Sequence, residues 1–258
     1  MTSSFSARSF STSQTLRQDE QVRMLILGSP GAGKGTQSGR LTKKYGFQAV
    51  VGGDVLREHV RLGTDIGLKA QKVMESGSLM PDEIMMELMT TKILDLGDAN
   101  FLLDGFPRTL GQAKMLDEAL VVAKKPLTLV ANLDVPEEVI LGRVLEKTHH
   151  LRYQIDGCIS PPVGPSTNLS YNPPKEAGKD DVTGEPLSKR PDDNIETFTS
   201  RLKSYHAQTE PLREYFAQRS GQDGLIFVNL EGRTSDEIWP KLEKALQSRY
   251  PSLSPLLG

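Results

Sequence analysis

The chain has 258 residues, with 31 Lys and Arg against 33 Asp and Glu and a net charge of −2. That length suits one large α/β domain carrying insertions, and the near-neutral balance excludes a global basic field for nucleic acid. Its single cysteine, Cys158, excludes an intrachain disulfide and a multi-cysteine zinc site, and no apolar run approaches the about 20 residues of a membrane-spanning helix. The expectation is a soluble protein of a reducing compartment, with no nucleic-acid partner, no membrane insertion and no zinc.

Residues 1–20 stand apart. Residues 1–18 carry Arg8, Arg17 and six serines by position 13, with no acid before Asp19. This Ser/Arg-rich, acid-poor composition without an apolar stretch matches a mitochondrial transit peptide better than a secretory signal. An ordinary disordered terminus is the alternative, and a cytoplasmic protein would then follow.

An apolar run from Arg23 to Leu27 predicts a buried first strand, and a helix is predicted over Gly35 to Tyr45. Between them, Gly28-Ser29-Pro30-Gly31-Ala32-Gly33-Lys34-Gly35-Thr36 has the spacing of a phosphate-binding loop. Glycines let successive backbone N–H groups curl around a polyphosphate, the helix start adds a positive end, and Lys34 supplies a point charge. The loop departs from the commonest pattern only in having Gly35 before Thr36.

Further on, strands are predicted at Phe101 to Leu103 (ending at Asp104), Leu127 to Leu133 (ending at Asp134) and Leu225 to Val228. A helix with Met85, Leu88, Met89, Ile93 and Leu96 at three and four spacing follows Pro81-Asp82-Glu83 and stops at Gly97. Alternation of this kind implies a P-loop NTPase-type α/β fold, a parallel sheet with helices on both faces. Ligands then sit at the carboxyl ends of the strands, beside the phosphate loop, Asp104 and Asp134.

Two stretches interrupt the alternation. Residues 51–81 read as short charged helices punctuated by Gly52, Gly53, Gly63, Gly67 and Gly77. Residues 148–187 hold six prolines and no periodic core, as expected of a lid. Three further groups bear on chemistry: Gly53-Asp54-Val55-Leu56-Arg57, Asp104-Gly105-Phe106-Pro107-Arg108-Thr109 followed by Gln112, and the arginines Arg143, Arg190 and Arg201. Arginines converging from separate segments suggest a second phosphate near the first, because the guanidinium fork binds phosphate oxygens bidentately and stays charged. Lys43-Lys44, Arg213 and Arg219 read as solvated, and His149 and His150 as lid surface.

These motifs together resemble the adenylate kinase family over nearly everything after Arg23. The phosphate loop, Asp104 to Thr109, the stretches Asn172-Pro173-Pro174-Lys175 and Asp180 to Leu187, and Arg190, Asp192-Asp193, Arg201 and Tyr205 carry the resemblance. It implies a core of residues 21–50, 82–147 and 186–258, a monophosphate-binding insertion at 51–81 and a lid at 148–185. The implied activity is phosphoryl transfer from a nucleoside triphosphate to AMP by a monomer, with Mg2+.

The donor would be held by Gly31, Ala32, Gly33, Lys34, Gly35 and Thr36, with Arg143, Lys147, Ser166, Thr167 and Thr234. AMP would be held by Gly52, Arg57, Ser78, Leu79, Met80, Gly105, Phe106, Pro107, Arg108 and Gln112, with Arg190 and Arg201. Gln112 would read the base. Lys34, Arg108, Arg143, Arg190 and Arg201 would act on the transferred group, and Asp54 and Asp104 would order Mg2+ through water.

The chain also departs from the family. Val51-Gly52 stands where Ser-Thr is usual, Lys147 replaces a lid arginine, and Pro165 interrupts a lid motif that elsewhere carries Arg and Tyr. Residues 148–162 are longer than usual. Thr183 to Leu187 and Glu237 to Pro240 resemble the mitochondrial matrix branch of the family, which implies GTP rather than ATP as the preferred donor.

Overall fold

The computed structural model describes residues 21–76, 78–150, 167–168, 175–176, 179, 187–188 and 195–256; at 142–150, 167–168, 187–188 and 195 only the backbone is described. The transit-peptide reading, Cys158, Ser166 and Arg190 lie outside the described residues. In chain order the elements begin with β1 (Arg23–Gly28), α1 (Lys34–Tyr45), β2 (Gln48–Val51), α2 (Gly52–Arg61), α3 (Asp65–Ser76), α4 (Asp82–Asp95) and β3 (Phe101–Asp104). They continue with α5 (Leu110–Val122), β4 (Leu129–Asp134), α6 (Glu137–Glu146), β5 (Lys147–His150), β6 (Thr167–Asn168) and β7 (Leu187–Ser188). Then come α7 (Ile195–Ser204), a wide π turn (Tyr205–Thr209), α8 (Glu210–Gln218), β8 (Ile226–Glu231) and α9 (Ser235–Arg249).

Five strands pair in parallel in the order β2-β3-β1-β4-β8. All six residues of β1 are buried, as a central strand covered on both faces requires. Leu25 and Leu27 face a core built with Met89 of α4, Leu116 of α5 and Phe216 of α8. Met24 and Ile26 face the other side, packing with Leu41 of α1 and Leu242 of α9. The connection from β1 leads to β2 on one side and that from β3 leads to β4 on the other. The sheet therefore opens a crevice where Gly28 and Asp104 end their strands.

Several elements differ from expectation in instructive ways. The edge strand β2 is only four residues long and half exposed, so no alternation announces it; pairing with β3 creates it. β8 continues past Val228 because Asn229 is bonded in place: it accepts from Asn132 Nδ2 at 2.6 Å and donates to Asp134 at 3.0 Å. Gly67 does not punctuate a boundary but lies inside α3, where a Cβ would come 2.1 Å from the His59 carbonyl oxygen of α2. Residues 147–188 include a small antiparallel sheet, β6-β5-β7.

Two supposedly solvated cations are engaged. Lys44 pairs with Glu243 and lies 5.9 Å from the Trp239 ring, tying α1 to α9, while Arg219 pairs with Asp117 and stacks 5.6 Å from the Tyr215 ring.

The π turn has a physical cause. Pro211 sits in the first turn of α8, lacks an N–H and crowds the preceding turn, so the helix widens just before it. At the other end of this helical run, Thr197 and Ser200 of α7 donate to the last carbonyls of α3, those of Glu75 and Ser76.

Candidate active site

The loop between β1 and α1 is held open by glycines. Gly31 and Gly33 adopt φ of 81° and 96°, and Gly33 starts α1 with no side-chain cap and no acid in the first turn. A helix start with no side-chain cap and no acid in its first turn is suited to an anion. Lys34 folds back across the loop, its Nζ donating to the carbonyls of Gly28 at 2.8 Å and Ser29 at 3.0 Å. Ser38, one turn on, donates to the Lys34 carbonyl at 2.9 Å and meets Asp104 Oδ2 at 3.2 Å.

Asp104 is buried at the end of β3, and burial pushes its carboxyl above the usual 3.8 even though Lys34, Ser38 and Arg108 favour the charged form. Opposite it, Arg108 is drawn back by Nε donation to the Gly105 carbonyl at 2.8 Å. Burial, and then the nearby charges of Arg201 and Arg57, depress the Arg108 guanidinium, with Asp104 opposing them. Arg57 forms an ion pair with Asp54 on the first turns of α2. Arg201 of α7 and Arg57 of α2 thus gather about Arg108 of the β3–α5 loop, which itself lies beside the buried Asp104. Such a cluster repels itself and is stabilised by a phosphate dianion.

The loop that carries Arg108 is fixed from three sides. Gly105 takes φ of 71°, Gly52 approaches so closely that a Cβ there would lie 3.0 Å from the Gly105 carbonyl oxygen, and Thr209 of the π turn donates to the Arg108 carbonyl at 2.8 Å. Gln112 is buried, accepting from the Arg108 backbone N–H at 2.7 Å and donating to Asp82 Oδ1 at 2.9 Å. Phe106 and Met80 are buried nearby in the chain's core, Leu79 is half-buried and Ser78 is exposed.

A second concavity of about 270 Å³ lies at the ends of β4 and β8, lined by Asp134, Pro136, Glu231, Gly232 and Arg233. Thr234 follows it as the N-cap of α9, its hydroxyl accepting from the Glu237 N–H at 3.1 Å. Tyr205 is influenced by Asp134 and Glu210, and burial raises its hydroxyl to about 12, so it stays protonated. Arg143 in α6, Lys147 in β5 and Thr167 in β6 are placed by backbone alone.

Among the described residues no three His, Cys, Asp or Glu side chains converge as a metal cage. Asp104 and Asp54 offer hard carboxylate oxygens beside the phosphate loop. That donor set fits Mg2+ held mainly by phosphates and water, not by the protein.

The adenylate kinase family model matches residues 26–221, spanning both strand ends and all three arginines. The chain belongs to the adenylate kinase family. Relatives of this adenylate kinase family member include the "GTP:AMP phosphotransferase, mitochondrial" of Saccharomyces cerevisiae, 42% identical over 234 residues that cover 89% of this chain and 94% of that protein. The "Adenylate kinase" of Emericella nidulans is 40% identical over 225 residues, covering 86% of this chain and 82% of that one.

Sequence reasoning about this kinase missed Ser38, Asp82 and Thr209. In the sequence Asp82 is only an early acid of its helix, and the other two stand in none of the motifs. Their roles arise only from contacts made across the fold.

Proposed function

We propose that the protein is a mitochondrial matrix GTP:AMP phosphotransferase that works as a monomer and uses Mg2+. The observation that carries the nucleoside monophosphate kinase reading is the gathering of Arg57 and Arg201 about Arg108, next to an Asp104 that also neighbours Lys34 of the glycine loop. One phosphate loop binds one polyphosphate; three further arginines call for a second phosphate. Residues 51–81 would close over AMP and 148–185 over the donor, with 21–50, 82–147 and 186–258 as the core.

Loop residues Gly31 to Thr36 would cradle the donor phosphates, with Lys34 released from its own carbonyls to the outer ones. Arg143, Lys147, Ser166, Thr167 and Thr234 would complete the donor side. Arg57 and Arg108 would grip the AMP phosphate, Arg190 and Arg201 the group in transit, and Gln112 the adenine, beside Gly52, Leu79 and Met80. Because the AMP phosphate is already anionic at neutral pH, no general base is required. His59 bonds Thr64, and His206 bonds Glu210.

Catalysis is then alignment plus charge neutralisation in a closed site. Bound Mg2+, ordered by Asp104 and Asp54 through water, would neutralise charge on the donor phosphates.

GTP as donor is supported by the mitochondrial GTP:AMP relative and by the β4–β8 concavity. Its carboxylates, Asp134 and Glu231, suit a base that presents adjacent N–H donors, as guanine does and adenine does not. The mitochondrial setting is supported by that relative's name and by the composition of residues 1–18.

The test is one coupled assay pairing AMP with GTP, ITP and ATP in turn, then each donor with CMP, UMP and GMP. GTP with AMP should be the fastest pair. A clear lead for ATP with AMP would remove the GTP assignment but keep the kinase; no ADP formation from AMP with any donor would remove both.

A further inference from the structure

The Gln112 side chain is held at both ends. Its Oε1 accepts from the Arg108 backbone N–H at 2.7 Å, and its Nε2 donates to Asp82 Oδ1 at 2.9 Å. Asp82 opens α4, and its own position is set by α5: Thr109, the N-cap of that helix, donates to Asp82 Oδ2 at 2.8 Å while accepting from the Gln112 backbone N–H at 3.0 Å. A carboxamide anchored this way cannot exchange its two ends. Turned over, it would set Nε2 against the Arg108 N–H, donor to donor, and Oε1 against the Asp82 carboxylate, acceptor to acceptor. Both mismatches would fall inside the fold, against Arg108 and Asp82, where they are costly.

We propose that Asp82 is a positioning residue that locks the Gln112 carboxamide in one orientation and thereby sets which purine the acceptor site takes. The proposal rests on the reading that Gln112 faces the acceptor base. Each amide atom has one partner among the described residues, which leaves one N–H and one oxygen lone pair. That pair complements adenine, whose N1 accepts and whose 6-amino group donates. Hypoxanthine has the same outline and the reverse polarity, since its N1–H donates and its 6-oxo group accepts. A freely turning glutamine serves both bases equally. A locked one serves adenine and leaves hypoxanthine with two mismatched pairs, the kind of difference by which sites discriminate strongly.

The experiment compares kcat/KM for AMP and IMP, with one donor, in the full-length protein and in Asp82→Ala, Asp82→Asn and Gln112→Ala, with thermal unfolding recorded for each. Asp82→Ala should lower the AMP-over-IMP preference about tenfold or more, through a higher KM for AMP and a lower one for IMP. Asp82→Asn, whose own amide can turn, should lower it by less, and it keeps the test alive should the alanine variant not fold. A merely structural role would depress both acceptors alike and leave the ratio unmoved. If both Asp82 variants keep the ratio within about twofold of wild type while Gln112→Ala loses it, the lock is overturned and the base contact stands. If Gln112→Ala also keeps the ratio, the base contact itself is wrong and the lock falls with it.

Discussion

A carboxylate closed off from water at the end of β3 costs the fold free energy wherever it is ionised. Asp104 has a raised pKa in the folded state, so its favourable contribution is complete below the ordinary 3.8 and is lost as pH climbs through the folded value. At neutral pH the charge is therefore a net burden, retained for its place beside Lys34 and Arg108. Asp104→Asn should raise the melting temperature near pH 7, by about 2–4 °C for each 1 kcal/mol relieved, while phosphoryl transfer falls. Melting curves taken into acid should show the gain shrinking as the wild-type carboxyl protonates.

Arg108 makes the complementary case. Its truncation to Ala should lower kcat by about a hundredfold or more and leave the melting temperature unchanged or higher, because repulsion from Arg201 and Arg57 disappears with it. Near-normal turnover would remove Arg108 from the machinery. Arg57, Arg108 and Gln112 could be proposed from the sequence because short motifs carry them. Asp82 and Ser38 could not, because their partners lie 30 and 66 positions away.

At the scale of elements, packing between backbones decides what side chains are allowed. α3 lies against α2 at Gly67 with no room for a methyl group, and the obstructing atoms are the His59 carbonyl and the Val60 nitrogen. Gly67→Ala should cost at least about 1–3 kcal/mol by forcing the two helices apart. The KM for AMP should rise in the same variant, since α2 carries Arg57; thermal unfolding and acceptor titration would check the two effects. Thr209→Val, which removes the bond from the π turn to the Arg108 carbonyl, should reduce kcat modestly, about threefold to tenfold, with little change in stability.

The apolar strands β1, β3 and β4 and the Met-bearing helix α4 were plain in the sequence, because burial on both faces or at helical spacing writes itself into composition. The strand β2 was not, since a short half-exposed edge is defined by its neighbour. Gly67 reads as a boundary in one dimension and is a contact in three.

For the molecule as a whole, cations gathered about Arg108 predict strong coupling between an anionic ligand and the fold. AMP at about 100 times its dissociation constant should add about 2.7 kcal/mol to the unfolding free energy, and Arg108→Ala should lose most of that increment. Differential scanning calorimetry with and without AMP measures both. The alternation of strands and helices that builds the parallel sheet was readable from the chain. What the sequence did not convey was how the loops are braced, because those hydrogen bonds have no local signature.

The parallel pairing of β1 with β3 carries a consequence for tolerance. Ile26 stands in register with Asp104, and neighbouring strands lie about 4.8 Å apart. The glycine loop leaves one of these strands and the Arg108 loop leaves the other. On the proposed reading, the gap between donor and acceptor phosphates is gauged by the ladder of backbone hydrogen bonds that joins these two buried strands. Residues 148–185 could then vary in length and composition, altering how long nucleotides stay, without resetting the ruler against which the two phosphates are aligned.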